Sequence, residues 1–184
     1  MSVDVETAGP NPREYAMLSI GACLVHQPER SFYVELKPTS LEVLPDALAV
    51  SGLSMDDLAR DGVEPVDALA QFEEWLGELP GPPVFVAFNA AFDWMFIDDY
   101  FRRFLGRNPF GYTALDIKAF AMGSTGGTWA STSMRYLSPK YLDGQPLAHN
   151  ALSDARDQAR LFRALIAERA ENTENTENAP TPRE

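Results

Sequence analysis

Asp4 and Glu6 stand one residue apart in the segment VDVE, and in an extended strand that spacing turns both carboxylates to one face. Acidic side chains on a strand inside a sheet are costly unless they are paired or hold a metal. Asp93 follows the apolar run 84–88 by one turn of an expected helix, among the apolar neighbours Phe92, Met95 and Phe96. A favourable position near a helix N-terminus would also account for it. The last element is His149-Asn150-Ala151-Leu152-Ser153-Asp154. Five residues apart, His149 and Asp154 do not share a face of an ideal helix, so the histidine belongs in the preceding loop and the aspartate within the helix. Asp157 reads as a solvated or supporting residue, and His26 as a surface residue at a strand end.

Four carboxylates and one histidine, with no cysteine partner, make a hard oxygen site suited to Mg²⁺ or Mn²⁺ rather than structural zinc. Two such ions about 4 Å apart hold the attacking water and the leaving oxygen of an in-line displacement at phosphorus. With the carboxylates committed to metal, a separate base must take the proton of water, and His149 is the suitable residue.

The elements that must position these groups follow from the spacing of apolar residues. Residues 2–6 predict a strand ended by Gly9-Pro10-Asn11-Pro12, and it is expected to be unusually short because the chain begins three residues before Asp4. Segments 15–25 and 31–37, joined by a turn at 27–30, predict an antiparallel hairpin. Ser54-Met55-Asp56-Asp57 offers a capping-box-like start for a short helix halted by Gly62. Val66, Leu69, Phe72, Trp75, Leu76 and Leu79 recur at helical spacing up to the Pro/Gly run 80–83. A buried strand is predicted at 84–88, then a helix from Asn89, as N-cap, through Phe104 to Gly106. A further strand falls at 112–117 and a flexible loop at 123–128. Residues 150–170 form an amphipathic helix with Leu152, Ala155, Ala159, Phe162, Leu165 and Ile166 on one face. Strand leading directly into helix marks the α/β class.

A chain of 184 residues, 45% apolar, can bury one core but not two, so a single domain over 1–170 is expected. The polar, repetitive residues 171–184 read as a disordered tail. There is no apolar run of about 18 residues and no signal-peptide pattern, which predicts a soluble cytoplasmic protein without membrane contact. A net charge of −12 weighs against a polyanionic partner, but metal-holding carboxylates and the acidic tail account for part of it. Arg102, Arg103, Arg107, Arg135 and Lys140 form either a local basic footprint or scattered solvated charges. The single cysteine, Cys23, excludes an internal disulfide and reads as a buried thiol.

The stretches VDVETAG (3–9), FNAAFDWMFI (88–97) and HNALSDA (149–155) resemble, in order and approximate spacing, the three motifs of the DEDDh 3′-to-5′ exonucleases. That group contains ribonuclease T, oligoribonuclease and the proofreading subunits of replicative DNA polymerases. The resemblance implies a ribonuclease-H-like α/β fold with a five-stranded mixed sheet flanked by helices. It implies that Asp4, Glu6, Asp93 and Asp154 bind two Mg²⁺ or Mn²⁺ ions, with His149 as general base. It also implies that Glu6, Thr7, Ala8, Asn89, Phe92 and His149 contact the terminal nucleotide. The expected reaction releases nucleoside 5′-monophosphates from the 3′ end of single-stranded nucleic acid. The first motif is worded most like that of ribonuclease T, which favours RNA; a DNA exonuclease of proofreading or repair type is the alternative. An inactive module that binds nucleic acid or a partner protein, and a metal phosphodiesterase acting on small nucleotides, are further alternatives. A homodimer is expected by likeness to ribonuclease T and oligoribonuclease. Relatives often carry histidine where this chain has Phe88, which removes a polar contact at the edge of the second motif.

Overall fold

The computed structural model describes residues 1–145 and 148–177, with side chains through residue 172. Strands β1 (Ser2–Thr7), β2 (Met17–Cys23), β3 (Ser31–Glu35), β4 (Phe85–Ala87) and β5 (Ala114–Asp116) form one sheet in the order β3-β2-β1-β4-β5. The first three run antiparallel, and β4 and β5 continue the sheet in parallel, so it is mixed as expected. The helices are α1 (Pro45–Ser51), α2 (Met55–Asp61), α3 (Pro65–Gly77), α4 (Ala91–Leu105), α5 (Ile117–Thr125), α6 (Met134–Tyr141) and α7 (Ala151–Glu177), with a 3₁₀ turn at Trp129–Thr132. The central strand β1 reaches Thr7, one residue beyond its expected end, with a register irregularity after Glu6.

Alternation sorts β1 into two faces. Val3 and Val5 enter the larger core, to which α3 gives Leu69 and Phe72 and α4 gives Phe96, Ile97, Tyr100 and Phe101. Phe72 packs between Phe32, at 4.9 Å between ring centroids, and Phe101, at 5.9 Å. The Tyr100 hydroxyl accepts the Met17 N–H at 2.7 Å and lies 2.8 Å from Thr39 Oγ1, which ties α4 to the strands.

Asp4 and Glu6 point to the other face, which α5, α6 and α7 cover. Here Cys23 of β2 packs with Ala155 and Ala159 of α7, and Gly21 lies beneath the start of the helix. A Cβ on Gly21 would sit 2.1 Å from the Ala151 carbonyl carbon and 2.2 Å from the Leu152 nitrogen. Gly21 pairs with Asp4 across the ladder. The close approach that excludes a side chain at position 21 therefore delivers the first turns of α7 to the acidic face of β1.

Several local expectations are corrected. Helix α1 buries no residue, so no apolar periodicity announces it. Asn89 is not an N-cap: it adopts a left-handed φ of 64°, and α4 begins at Ala91 behind Ala90. The segment 123–128 is helical as far as Thr125, because Asp116 caps α5 by accepting the Ala119 N–H at 2.7 Å and Gly126, at φ 66°, ends it. Helix α6 carries Pro139 inside it and was hidden by that residue. Helix α7 runs on to Glu177, into the segment 171–184 expected as a disordered tail. A helix already nucleated extends through a polar sequence at small cost per residue. Residues 178–184 lie outside the described residues. Among the described residues no helix is long and apolar enough to cross a membrane.

Candidate active site

The parallel register of β1 and β4 pairs Ser2 with Val86, and further along the two strands side chains take over from the ladder. The Phe88 N–H donates to Gln158 Oε1 at 2.9 Å, and Gln158 Nε2 donates to Asp4 Oδ1 at 2.6 Å. The Val5 N–H donates to Asp93 Oδ1 at 3.1 Å. Polar groups from α4 and α7 thus satisfy backbone donors that a continued ladder would have used.

Carboxylate oxygens of Asp4, Glu6 and Asp154 lie within 4.8 Å of one another. Asp93 stands close enough for its charge to act on Asp4, and it is buried. Asp154 accepts the Ala148 N–H at 2.8 Å on one oxygen and the His149 N–H at 3.1 Å on the other. An ionised carboxylate offers about four lone-pair sites, so these bonds leave room for a cation.

Burial holds Asp4 well above the usual carboxylate range, the charges of Asp93, Glu6 and Asp154 add to this, and the Gln158 hydrogen bond opposes it. Glu6 is pushed up to about 7, by burial first and by Asp154 second. Burial also raises Asp93, against the opposing Val5 N–H, and Asp154, against those of Ala148 and His149. Carboxylates that resist ionising beside one another form a site that a hard divalent cation would neutralise. The donors are all oxygen, which fits Mg²⁺ or Mn²⁺.

This electrostatic state has a thermodynamic signature. The unfolded chain releases the Glu6 proton near 4.5 and the folded protein near 7, so between those values the native state binds more protons and stability falls as pH rises. In EDTA the protein is expected to melt at a lower temperature at pH 8 than at pH 5. Added Mg²⁺ or Mn²⁺ should recover the loss at pH 8. A melting temperature in EDTA that climbed from pH 5 to pH 8 would contradict this account.

His149 lies in the loop before α7, as its spacing from Asp154 requires, with a left-handed φ of 54°. Asn150 caps the helix by accepting the Ser153 N–H at 3.1 Å. The exposed His149 lines a cavity of about 410 Å³ with Met134, Arg135, Ser138 and Gln145 and is outside the group of three converging carboxylates. Asn89 is exposed and Phe92 half-buried, its ring 5.4 Å from that of Phe96. Thr7 is buried and donates its hydroxyl to the Gly9 carbonyl at 2.9 Å. Ala8 is fully buried; its N–H donates to Ala16 and its carbonyl accepts from Leu44. Asp157 is half-buried and outside the three-carboxylate group.

Gln158 was not foreseen, although the pattern holds a signal for it. The buried stripe of α7 includes Ala151, Asp154, Ala155, Gln158, Ala159 and Phe162, and its two polar members stand one turn apart. Gln158→Leu would leave Asp4 and the Phe88 N–H unheld. A loss of roughly 10- to 100-fold in metal affinity or activity is expected, as for other residues that orient a ligand from behind. Initial rates across a Mg²⁺ titration would test it, and wild-type rates at limiting metal would refute it.

Residues 1–162 match the RNase_T exonuclease family model. The chain belongs to the exonuclease family. It is 46% identical over 168 residues, 90% of each chain, to the 3′-5′ DNA exonuclease Cap18 of Escherichia coli. It is 28% identical over 166 residues to a PolC-type DNA polymerase III of Staphylococcus aureus, where the match spans 11% of that protein. Among solved structures, the nuclease domain of 3′hExo, a DEDDh family member, bound to rAMP, superposes with a TM-score of 0.70 at 18% identity over 90% of each chain. E. coli Exonuclease I in complex with a dT13 oligonucleotide does so at 0.71 and 16%, over 94% of this chain and 42% of that one. This exonuclease is a hydrolase of the DEDDh type acting 3′ to 5′ on a ribonuclease-H-like fold, as the motifs implied.

Proposed function

We propose that this exonuclease shortens single-stranded DNA from its 3′ end, releasing nucleoside 5′-monophosphates. The observation that carries this reading is the convergence of Asp4, Glu6 and Asp154 within 4.8 Å, with Asp93 beside them. These four side chains would hold Mg²⁺ or Mn²⁺, which when bound neutralises phosphate oxygens and makes water a stronger acid. Gln158 fixes the Asp4 carboxylate, and the Asp154 carboxylate fixes the loop that carries His149. His149 turns from that loop to accept the proton of the attacking water. The terminal residue reaches the carboxylates only when splayed from a partner strand, hence the single-stranded requirement.

DNA is favoured by the 46% identity, over nearly the whole chain, to a protein named a DNA exonuclease. The wording of the first motif supports RNA as the second reading. Matched 5′-labelled DNA and RNA oligonucleotides, digested with Mg²⁺ and with Mn²⁺, decide between them. The expected result is a ladder shortening from the 3′ end on DNA, abolished by EDTA. Faster loss of RNA would transfer the assignment, and cleavage of a mononucleotide ester without any attack on oligonucleotides would point to a small-nucleotide phosphodiesterase.

A further inference from the structure

At least seven of the fifteen Lys and Arg residues of this acidic chain are paired with its own carboxylates. Four of the five basic residues expected as a footprint are paired: Arg102 with Asp98, Arg103 with Asp99, Arg107 with Glu73 and Lys140 with Glu168. Among the described residues Lys118 and Arg135, like Arg13, Arg30, Arg156 and Arg163, have no carboxylate within salt-bridge distance, and Lys118 and Arg135 both belong to the segment from α5 to α6. Arg135 lines the cavity with His149. The Lys118 ammonium lies 4.5 Å from the Trp129 ring centroid and 5.6 Å from that of Phe88.

Trp129 is 53% exposed, on the 3₁₀ turn after α5. A large aromatic surface left in water beside an unpaired cation has the composition of a single-strand binding platform, where a base stacks on the ring and the cation meets a phosphate. Its place supports that reading. Phe88 carries the N–H that holds Gln158, and Gln158 holds Asp4, so two residues link the platform to the carboxylates.

We propose that Trp129 and Lys118 form a second contact zone for single-stranded DNA, which receives a nucleotide upstream of the 3′-terminal one. The inference rests on the nuclease reading above and adds the substrate feature recognised: a chain of several nucleotides rather than its end alone. Trp129→Ala is expected to raise KM for a ten-residue oligodeoxynucleotide by roughly 5- to 150-fold, the worth of one stacked base, with kcat nearly unchanged. Hydrolysis of the p-nitrophenyl ester of thymidine 5′-monophosphate, which has no upstream nucleotide, should be unaffected. Trp129→Phe should restore most of the oligonucleotide KM. Equal losses on both substrates would show a structural role and overturn the proposal, as would an unchanged oligonucleotide KM. A second arm titrates a dT10 oligonucleotide into protein in EDTA: quenching of tryptophan fluorescence should be largely lost in Trp129→Phe, and equal quenching in both proteins overturns the proposal. Wild-type protein idle on every 3′-hydroxyl substrate would defeat the nuclease reading, while the quenching arm would still decide the role of Trp129.

Discussion

Asp4→Asn is expected to cut turnover by roughly 10³-fold or more and, at the same time, to raise the melting temperature of the metal-free protein at pH 8. The two effects have one cause. Asparagine is nearly isosteric and keeps an oxygen to accept the Gln158 Nε2–H, whose amide cannot turn over because Gln158 Oε1 is held by the Phe88 N–H. The change removes only an ionisable group that burial and three neighbouring carboxylates already disfavour. The apo fold gains by losing that repulsion, and the proposed metal site would lose a ligand, so stabilisation by Mg²⁺ should shrink with the activity. Asp154→Asn should also abolish turnover without the same gain. Its carboxylate accepts two backbone N–H groups, and an amide nitrogen facing one of them loosens the loop of Ala148 and His149. Wild-type turnover in Asp4→Asn, or inactivity with a lower melting temperature in EDTA at pH 8, would show that this cluster is not a metal site maintained at the expense of stability.

The residues most legible in the sequence were those whose spacing has one geometric meaning. Asp4 and Glu6 share a face because a strand repeats every two residues, and their burial partners Val3 and Val5 had to take the other. Asp93 sits on the buried stripe of α4 with Phe96, Ile97, Tyr100 and Phe101, so an acid in an apolar row marked itself. Gln158 did not stand out because glutamine is an ordinary helical residue; its role depends on where β1 and β4 part, which is a tertiary fact. The segment from α5 to α6 was the least legible part of the fold. Its helices are short, one holds a proline, and its solvent-exposed Trp129 and Tyr136 break the apolar pattern by which buried helices are read.

His149→Ala is expected to lower turnover by roughly 10²- to 10⁴-fold while leaving the metal-induced rise in melting temperature intact. The separation follows from how the residue is held. Its backbone N–H is bonded to Asp154, but its side chain is exposed and neither ring nitrogen joins the converging ligand atoms of Asp4, Glu6 and Asp154. The substitution would remove only the proposed base and leave the proposed cation site and its anchor in place. A left-handed φ at a residue other than glycine costs about 1–3 kcal/mol, and the Asp154 hydrogen bonds hold the loop in that strained form. Imidazole in solution should restore part of the activity, because the position opens on the cavity beside Arg135 and Gln145. A variant with wild-type turnover, or one whose melting temperature no longer responds to Mg²⁺, would move His149 from proton transfer to metal binding or to loop structure.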